Sequence, residues 1–170
     1  MALKKTTTIL GIDPGFADTG YGIIKCEGNK ITTLAYGSIQ TPAKQDYSTR
    51  IEYIYNEVIS LIKKYKPTNI SIEELFFFKN VTTAIKVSQA RGVVLLAAKQ
   101  NNINISEYTP LQIKQALTGY GRADKKQMQQ MIKTVLGLKE IPRPDDAADA
   151  LAAALCCSSN LKMESISNKK

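Results

Sequence analysis

The first part of the chain alternates short apolar runs with turn residues, which is the pattern of β-strands. Apolar positions cluster in 8–13, 20–25 and 30–40, and the links between these runs contain Pro14-Gly15 and Glu27-Gly28-Asn29. Links this short join antiparallel neighbours, because a parallel pair needs a crossover of about a dozen residues or more. The sequence therefore predicts an antiparallel meander of three strands.

Beyond residue 46 the apolar spacing changes to the period of a helix. Apolar side chains recur three and four positions apart between Asp46 and Pro67, and the pattern of a strand then returns over Asn69–Glu73. The remaining predicted elements are a helix over Val81–Gln100, a strand over 103–108, and three helices that begin at Pro110, at Asp124 and at Pro144-Asp145, the last ending near Leu155.

This order of elements predicts an α/β fold. Three antiparallel strands followed by two parallel ones form a mixed five-stranded sheet, and the helices between and after them flank it on both faces. One domain over residues 1–157 accounts for the apolar pattern, and the polar segment 158–170 is expected to be a disordered tail.

Charge and the missing histidine narrow the chemistry. The 170 residues include 23 Lys plus Arg, 15 Asp plus Glu and no His, which gives a formal charge of +8 at pH 7. A surplus of this size favours a polyanionic partner such as nucleic acid. Without imidazole, the Ser-His-Asp and Cys-His triads and His-liganded zinc sites are excluded.

The cysteines and the apolar runs indicate the compartment. Three cysteines, two of them sequence neighbours, are a poor basis for a disulfide framework and favour a reducing environment. No run approaches the roughly 18 consecutive apolar residues of a membrane span, and the N-terminal residues lack the apolar core of a signal peptide. We therefore expect a cytoplasmic protein without a membrane partner.

Acidic residues fall at the ends of predicted elements. Asp13 ends the first strand, Glu73-Glu74 the fourth, and Asp145, Asp146 and Asp149 begin the last helix. If strands one and four are central neighbours, the three clusters converge at one sheet edge. Each also has an ordinary structural explanation, since Asp initiates turns before Pro-Gly, a Glu pair after a strand is commonly solvated, and Asp after Pro caps helices.

Side-chain alternation distinguishes some of these acids from each other. Glu73 shares a strand face with Ser71, a small residue that leaves room for a cleft, whereas Glu74 shares the other face with Ile70 and Ile72. Asp145 directly follows Pro144 and is expected to accept backbone N–H bonds. Helical spacing alone leaves open whether Asp146 or Asp145 pairs with Asp149.

Clustered carboxylates require cations to remain ionised together. Mg²⁺ or Mn²⁺ suits oxygen ligands, and two such ions about 4 Å apart can activate water against a phosphodiester. The pattern therefore predicts a metal-dependent cleft surrounded by a basic surface that holds nucleic acid.

Several motifs together resemble the RuvC family of Holliday junction resolvases. They occur in family order over roughly residues 8–157, and they are Ile12-Asp13-Pro14-Gly15, Gly20-Tyr21-Gly22, Ile72-Glu73-Glu74-Leu75-Phe76, Gln89-Ala90-Arg91-Gly92, Lys114-Gln115, Gly119-Tyr120-Gly121 and Asp145-Asp146-Ala147-Ala148-Asp149-Ala150-Leu151-Ala152.

The resemblance implies a ribonuclease-H-like homodimer that nicks two symmetry-related strands of a four-way DNA junction. The products would carry 5′-phosphate and 3′-hydroxyl ends, and a RuvA–RuvB branch-migration complex would be a partner in recombination and repair. By position, the resemblance assigns catalysis and the binding of two Mg²⁺ ions, replaceable by Mn²⁺, to four carboxylates: Asp13, Glu73, Asp146 and Asp149. Some relatives have His where this chain has Asp146.

The same resemblance suggests which residues contact DNA. Phe76 matches an aromatic residue that stacks on bases, while core or dimer-interface packing is the alternative, above all for Phe77 and Phe78. Residues 99–143 contain eight Lys and Arg against three acids. The candidate cationic contacts are Lys114, Lys125, Arg91 and Arg122, for each of which a solvated surface position is the alternative.

Two questions remain open at the level of sequence. The apolar residues of Val81–Gln100 suit either a dimer contact or the monomer core. Other functions to weigh are a YqgF-like nuclease acting on RNA, an actin-like ATPase and a junction-binding protein without catalysis. The ATPase would need a second domain that 170 residues do not supply, and simple binding gains nothing from carboxylates facing a polyanion.

Overall fold

A central mixed sheet organises the protein. The computed structural model describes residues 6–74 and 81–167. The strands are β1 (Thr6–Asp13), β2 (Asp18–Glu27), β3 (Lys30–Gln40), β4 (Asn69–Glu73) and β5 (Asn104–Tyr108), in the spatial order β3-β2-β1-β4-β5. The first three pair antiparallel, and β4 joins β1 and β5 in parallel. The predicted five-stranded sheet is confirmed, with β1 and β4 as central neighbours.

The five helices within the described residues begin at the predicted signals. They are α1 (Tyr47–Tyr65), α2 (Val81–Gln100), α3 (Pro110–Thr118), α4 (Lys125–Leu136) and α5 (Asp145–Ser167). Asp46, Thr109 and Asp124 cap α1, α3 and α4, and the last two form capping boxes with a Gln three residues later. Gly119 and Gly137 end α3 and α4 in the left-handed conformation that glycine adopts without strain.

The two faces of the sheet carry separate apolar cores. Along β1, Leu10 and Ile12 pack with α1 and α2, whereas Ile9 packs with α3, α4 and α5. Gly11 and Asp13 alternate onto the side of Ile9. The prediction of helices on both faces is confirmed, and Asp13 lies on the face that α5 covers.

Helix α5 is longer than its sequence predicts. The expected end near Leu155 is wrong, because the helix continues for about three more turns to Ser167. Ser158 is buried, and its hydroxyl lies 3.2 Å from the Cys26 thiol. The expectation of a disordered tail is therefore wrong for residues 158–167, and 168–170 lie outside the described residues.

Helix α2 belongs partly to the core. Ala90 and Val94 are buried against the sheet, while Val81, Ile85 and Leu96 are exposed. Of the described helices, α2 alone has the length and mean hydropathy of a membrane span. Its packing onto α1 and β5 makes it a core helix with one uncovered apolar side.

Candidate active site

Two neighbouring strands end in carboxylates at the same edge of the sheet. Asp13 is the last residue of β1, and Glu73 is the last residue of β4, which lies parallel to β1. Ser71, on the same side of β4 as Glu73, donates a 2.7 Å hydrogen bond from Oγ to the carbonyl of Ala153 in α5. Both carboxylates therefore lie on the sheet face that α5 covers.

Glycines bring α5 onto this edge. A Cβ at Gly11 would overlap the carbonyl oxygen of Ala150, and one at Gly20 would overlap that of Asp146. Since Gly20 pairs with Asp13 across β1 and β2, the first turn of α5 lies directly over the end of β1. The expectation that small residues leave an open cleft behind the carboxylates is therefore wrong, because the backbone of α5 occupies that space.

This role of the glycines was not apparent from sequence. The motif residues Gly20 and Gly22 were recognisable, but their function depends on register. Gly11 and Gly22 are directly paired partners on neighbouring strands, and a Cβ at Gly22 would overlap Leu151 of α5. Paired glycines on one face of a sheet are a signal that a helix approaches closely.

Four carboxylates share one electrostatic environment at this edge. Burial raises the pKa of Asp13 from its ordinary value of 3.8 to about 7, and the charges of Asp149, Glu73 and Asp146 act in the same direction. Burial, followed by the charge of Asp149, also raises the pKa of Glu73. The structure thus places Asp13, Glu73, Asp146 and Asp149 together, as the sequence predicts.

Asp145 and Asp146 differ sharply in their surroundings. Asp145 is exposed, lies 2.8 Å from Lys125 Nζ and accepts a 3.0 Å hydrogen bond from Gln129, and its bond with Lys125 lowers its pKa. Asp146 is half-buried, and burial raises its pKa. The expectation that Asp145 binds backbone N–H groups is wrong, because its partners are the side chains of Lys125 and Gln129. Its charge still contributes to the raised pKa of Asp146 and Asp149.

A fifth carboxylate was missed by sequence reasoning. Asp18 begins β2 and raises the pKa of Asp146 through its charge. Its Oδ2 accepts a 3.3 Å hydrogen bond from Gln40, and its Oδ1 is buried without a partner among the described residues. No motif marked it, because its place beside Asp146 depends on the packing of α5 on β2.

Two of the predicted cationic residues stand beside the carboxylates. The charge of Lys114 opposes the raised pKa of Glu73, and the charge of Lys125 does the same for Asp13 and Asp149. Since a phosphate group would meet both lysines near the acids, their positions suit contacts to a reacting phosphodiester.

The other predicted DNA contacts have different surroundings. Arg91 forms an ion pair with Glu107 of β5, and its Nε is buried without a hydrogen bond in the described part of the chain. Arg122 is exposed between α3 and α4. Phe76, Phe77 and Phe78 lie outside the described residues.

The carboxylates suit hard divalent cations. Their oxygens are the donors that Mg²⁺ prefers, and a nearby cation would act against the burial and the like charges that raise the pKa of Asp13. Within residues 6–74 and 81–167, no three acidic or cysteine side chains stand close enough together to hold one metal ion. Mg²⁺ does not require three such ligands, since it commonly binds through one or two carboxylates and completes its shell with water and substrate phosphate.

Comparison with known proteins agrees with this geometry. The family model described as "Crossover junction endodeoxyribonuclease RuvC" matches residues 9–157. Curated relatives of that name from Heliobacterium modesticaldum and Ruminiclostridium cellulolyticum are 53% and 56% identical, covering 90% and 91% of this chain and 94% and 93% of theirs.

Solved structures show the same similarity. Thermus thermophilus RuvC superposes with a TM-score of 0.87 at 36% identity, over 92% of this chain and 96% of that one. The T. thermophilus protein in complex with a Holliday junction substrate superposes with a TM-score of 0.84 at 34% identity, with the same coverage. The fold is therefore ribonuclease-H-like, as the family resemblance implies.

Proposed function

The chain belongs to the RuvC family of crossover junction endodeoxyribonucleases, and from this premise we propose that it resolves four-way DNA junctions by paired, metal-dependent nicks. The observation that carries the proposal is the meeting of Asp13, Glu73 and the start of α5 at one sheet edge. A relative of the same fold is seen with a Holliday junction substrate.

The four carboxylates would hold two Mg²⁺ ions, for which Mn²⁺ would substitute. When bound, these ions supply the Lewis acidity that makes water a nucleophile at neutral pH and stabilises charge on the phosphodiester. As a ligand, Asp13 would be held in its charged form, because a nearby cation lowers the pKa of a carboxylate. Lys114 and Lys125 neutralise phosphate oxygens, and the products carry 5′-phosphate and 3′-hydroxyl ends.

A basic surface beside the carboxylates supports DNA binding. The net charge is +8, and residues 99–143 contribute a large part of the Lys and Arg surplus. We assign phosphate contacts to Lys114, Lys125, Arg91 and Arg122, and base stacking at the junction to Phe76. Arg91 would act within its ion pair with Glu107.

The uncovered side of α2 supports a homodimer. Val81, Ile85 and Leu96 are exposed on a helix whose opposite side, with Ala90 and Val94, is buried, and a Cβ at Gly92 would meet nothing within 4 Å. A second copy covering this face would place two active sites on one assembly, as paired nicks require. We further propose that the protein acts in the cytoplasm with a RuvA–RuvB complex as its partner. Its role would be in DNA recombination and repair.

The alternatives explain less of the molecule. A YqgF-like RNA nuclease would share the Asp13 segment but would not account for the family match over residues 9–157. A junction-binding protein without catalysis would not benefit from carboxylates buried beside a DNA surface, because burial of acids costs stability.

A nicking assay with a neighbouring acid as the control tests the proposal. We expect the protein to nick a synthetic four-way junction only with Mg²⁺, and to leave a linear duplex of the same sequence intact. Asp13→Asn and Glu73→Gln should lower the rate by more than the roughly 10–100-fold that outer-shell changes cost. Junction binding in EDTA should stay within about threefold, since phosphate contacts supply most of the affinity.

The matched control is Glu74→Gln, which removes the acid next to Glu73 in the chain. This variant should nick at close to the rate of the unmodified protein. Full activity of Asp13→Asn, or equal losses in Glu73→Gln and Glu74→Gln, would contradict the assignment of the site.

A further inference from the structure

The segment that follows Asp13 is tied to the end of β3. We call residues 14–17 the Asp13 loop, because they lead from Asp13 to β2. The N–H of Thr41 donates to the carbonyl of Ala17 at 3.0 Å, and the Thr41 hydroxyl donates to the carbonyl of Phe16 at 2.8 Å. Thr41 is buried, so these bonds are sheltered from water.

The side chain of Phe16 also anchors the Asp13 loop, through the contacts of its ring. Phe16 is 8% exposed, and its ring stacks on Tyr47 with centroids 4.6 Å apart and planes 14° apart. The guanidinium carbon of Arg50 lies 4.2 Å from the ring centroid, and Lys86 Nζ lies 5.8 Å from it. The Tyr47 hydroxyl in turn bonds to Gln89 of α2.

Arg50 contacts both Thr41 and the ring of Phe16. Its Nε donates a 2.9 Å hydrogen bond to the Thr41 hydroxyl, which donates onward to the Phe16 carbonyl, while its guanidinium packs on the Phe16 ring. A planar, permanently charged guanidinium can donate in its plane and stack through its face at once, which a lysine cannot do. One side chain thereby restrains the main chain and the side chain of Phe16.

We propose that Arg50 is a positioning residue for the nuclease reaction, holding the Asp13 loop and through it the Asp13 carboxylate. The inference rests on the proposed function. The carboxylates of Asp149, Glu73 and Asp146 lie near Asp13, and the loop that Arg50 restrains begins at the next residue. Arg50 contacts Thr41 and Phe16, so it acts on Asp13 through the loop.

Exchange of Arg50 for Met tests this role, with Lys64→Met as the matched control. Lys64 also lies over an aromatic ring, that of Tyr65, at 5.1 Å, but at the far end of α1. Arg50→Met should lower single-turnover nicking at saturating junction by roughly 10–100-fold, because a displacement of about 1 Å has an effect of this size. Junction affinity in EDTA should be unchanged, and Lys64→Met should match the unmodified protein.

Conservative replacements separate positioning from charge. Arg50→Lys keeps the charge but not the simultaneous bond and stack, so it should recover only part of the rate. Thr41→Val removes the hydroxyl between Arg50 and Phe16, and it should lower nicking in the same direction. Combining Thr41→Val with Arg50→Met should cost less than the sum of the two, since both break one chain of contacts.

Amide hydrogen exchange of the metal-free protein provides a readout independent of catalysis. The amides of residues 15–17 and of Thr41 should exchange faster in Arg50→Met, while those of α5 stay unchanged. Normal nicking, unchanged exchange of the loop, or an equal loss in Lys64→Met would overturn the proposal. If the unmodified protein nicks no junction, the proposed function fails, while the exchange measurement still tests the contact between Arg50 and the loop.

Discussion

Two long helices rich in small residues cover opposite faces of the sheet, and they differ in how completely they are buried. In α5, every residue from Ala147 to Ser158 except Asp149 is buried, because α3 and α4 cover the side that faces away from the strands. In α2, burial is confined to Ala84, Ala90, Val94, Ala97 and Ala98. Similar helix composition therefore led to two different environments.

The strands beneath the helices explain part of the difference. Toward α5 the sheet presents Gly11, Gly20 and Gly22, which admit the helix backbone, whereas toward α1 and α2 it presents branched side chains such as Ile12 and Ile23. Close backbone contact fixes the start of α5, and with it Asp146 and Asp149. In this protein the residues of the facing strands, more than the composition of the helix, decide how closely a helix packs on the sheet.

The largest effect should come from adding one methyl group beneath α5. Gly11→Ala would place a Cβ against the Ala150 backbone, which cannot move aside as a side chain can. We expect a loss of about 1–3 kcal/mol in the free energy of unfolding, measured in urea, and a loss of nicking as the first turn of α5 shifts.

The control for Gly11→Ala removes one methyl group on the sheet face that α1 and α2 cover. Ile70→Val lies in the core beneath α1 and α2, and should cost roughly 0.5–1.5 kcal/mol while nicking stays normal. Equal activity in Gly11→Ala and Ile70→Val would show that close packing of α5 does not position the site.

A charge on the uncovered side of α2 should break the proposed dimer. Ile85 is 54% exposed, and Ile85→Glu would place a carboxylate in the interface. Analytical ultracentrifugation should show a dimer dissociation constant at least about a hundredfold higher, equivalent to roughly 3 kcal/mol. Met163→Glu, at an exposed apolar position on α5, should leave the dimer intact. If both variants change the dimer dissociation constant equally, α2 is not the dimer interface.

The stability of the metal-free protein should also depend on pH. The pKa of Asp13 is about 7 in the fold against an ordinary 3.8, so between these values the folded state binds more protons than the unfolded state. This contribution to stability is complete below about pH 4 and is lost as pH rises through 7. The midpoint of thermal unfolding should fall by several degrees across this window.

Mg²⁺ and a single substitution sharpen this measurement. Added Mg²⁺ should restore more stability at pH 8 than at pH 5, because it binds the ionised carboxylates. Asp13→Asn should flatten the fall, whereas Asp145→Asn should not, since the pKa of exposed Asp145 is lowered by Lys125. If the unfolding midpoint of Asp13→Asn falls by the same amount over this pH range, groups other than Asp13 cause the pH dependence.

Local signals predicted most of the fold. Asp46, Pro110 and Asp124 mark helix starts through capping and proline geometry, which depend on a few neighbouring residues. The length of α5 was missed because its last turns are polar in sequence. Ser158 faces Cys26, and Asn160 donates a 2.9 Å hydrogen bond to the Cys156 carbonyl, so distant and local partners satisfy residues that look like a tail.

By itself, the sequence determined the chemistry available to this protein: carboxylates at strand ends and a helix start, a basic surface and no imidazole. It could not choose between Asp145 and Asp146, which are neighbours in sequence and both near Asp149 in helical spacing. The tertiary structure separates them. Helix α4 brings Lys125 and Gln129 to Asp145, whereas Gly20, which has no side chain, lets the backbone of Asp146 lie close to the sheet. Strand ends and caps are local features, but the partners of a side chain depend on packing between segments far apart in the chain.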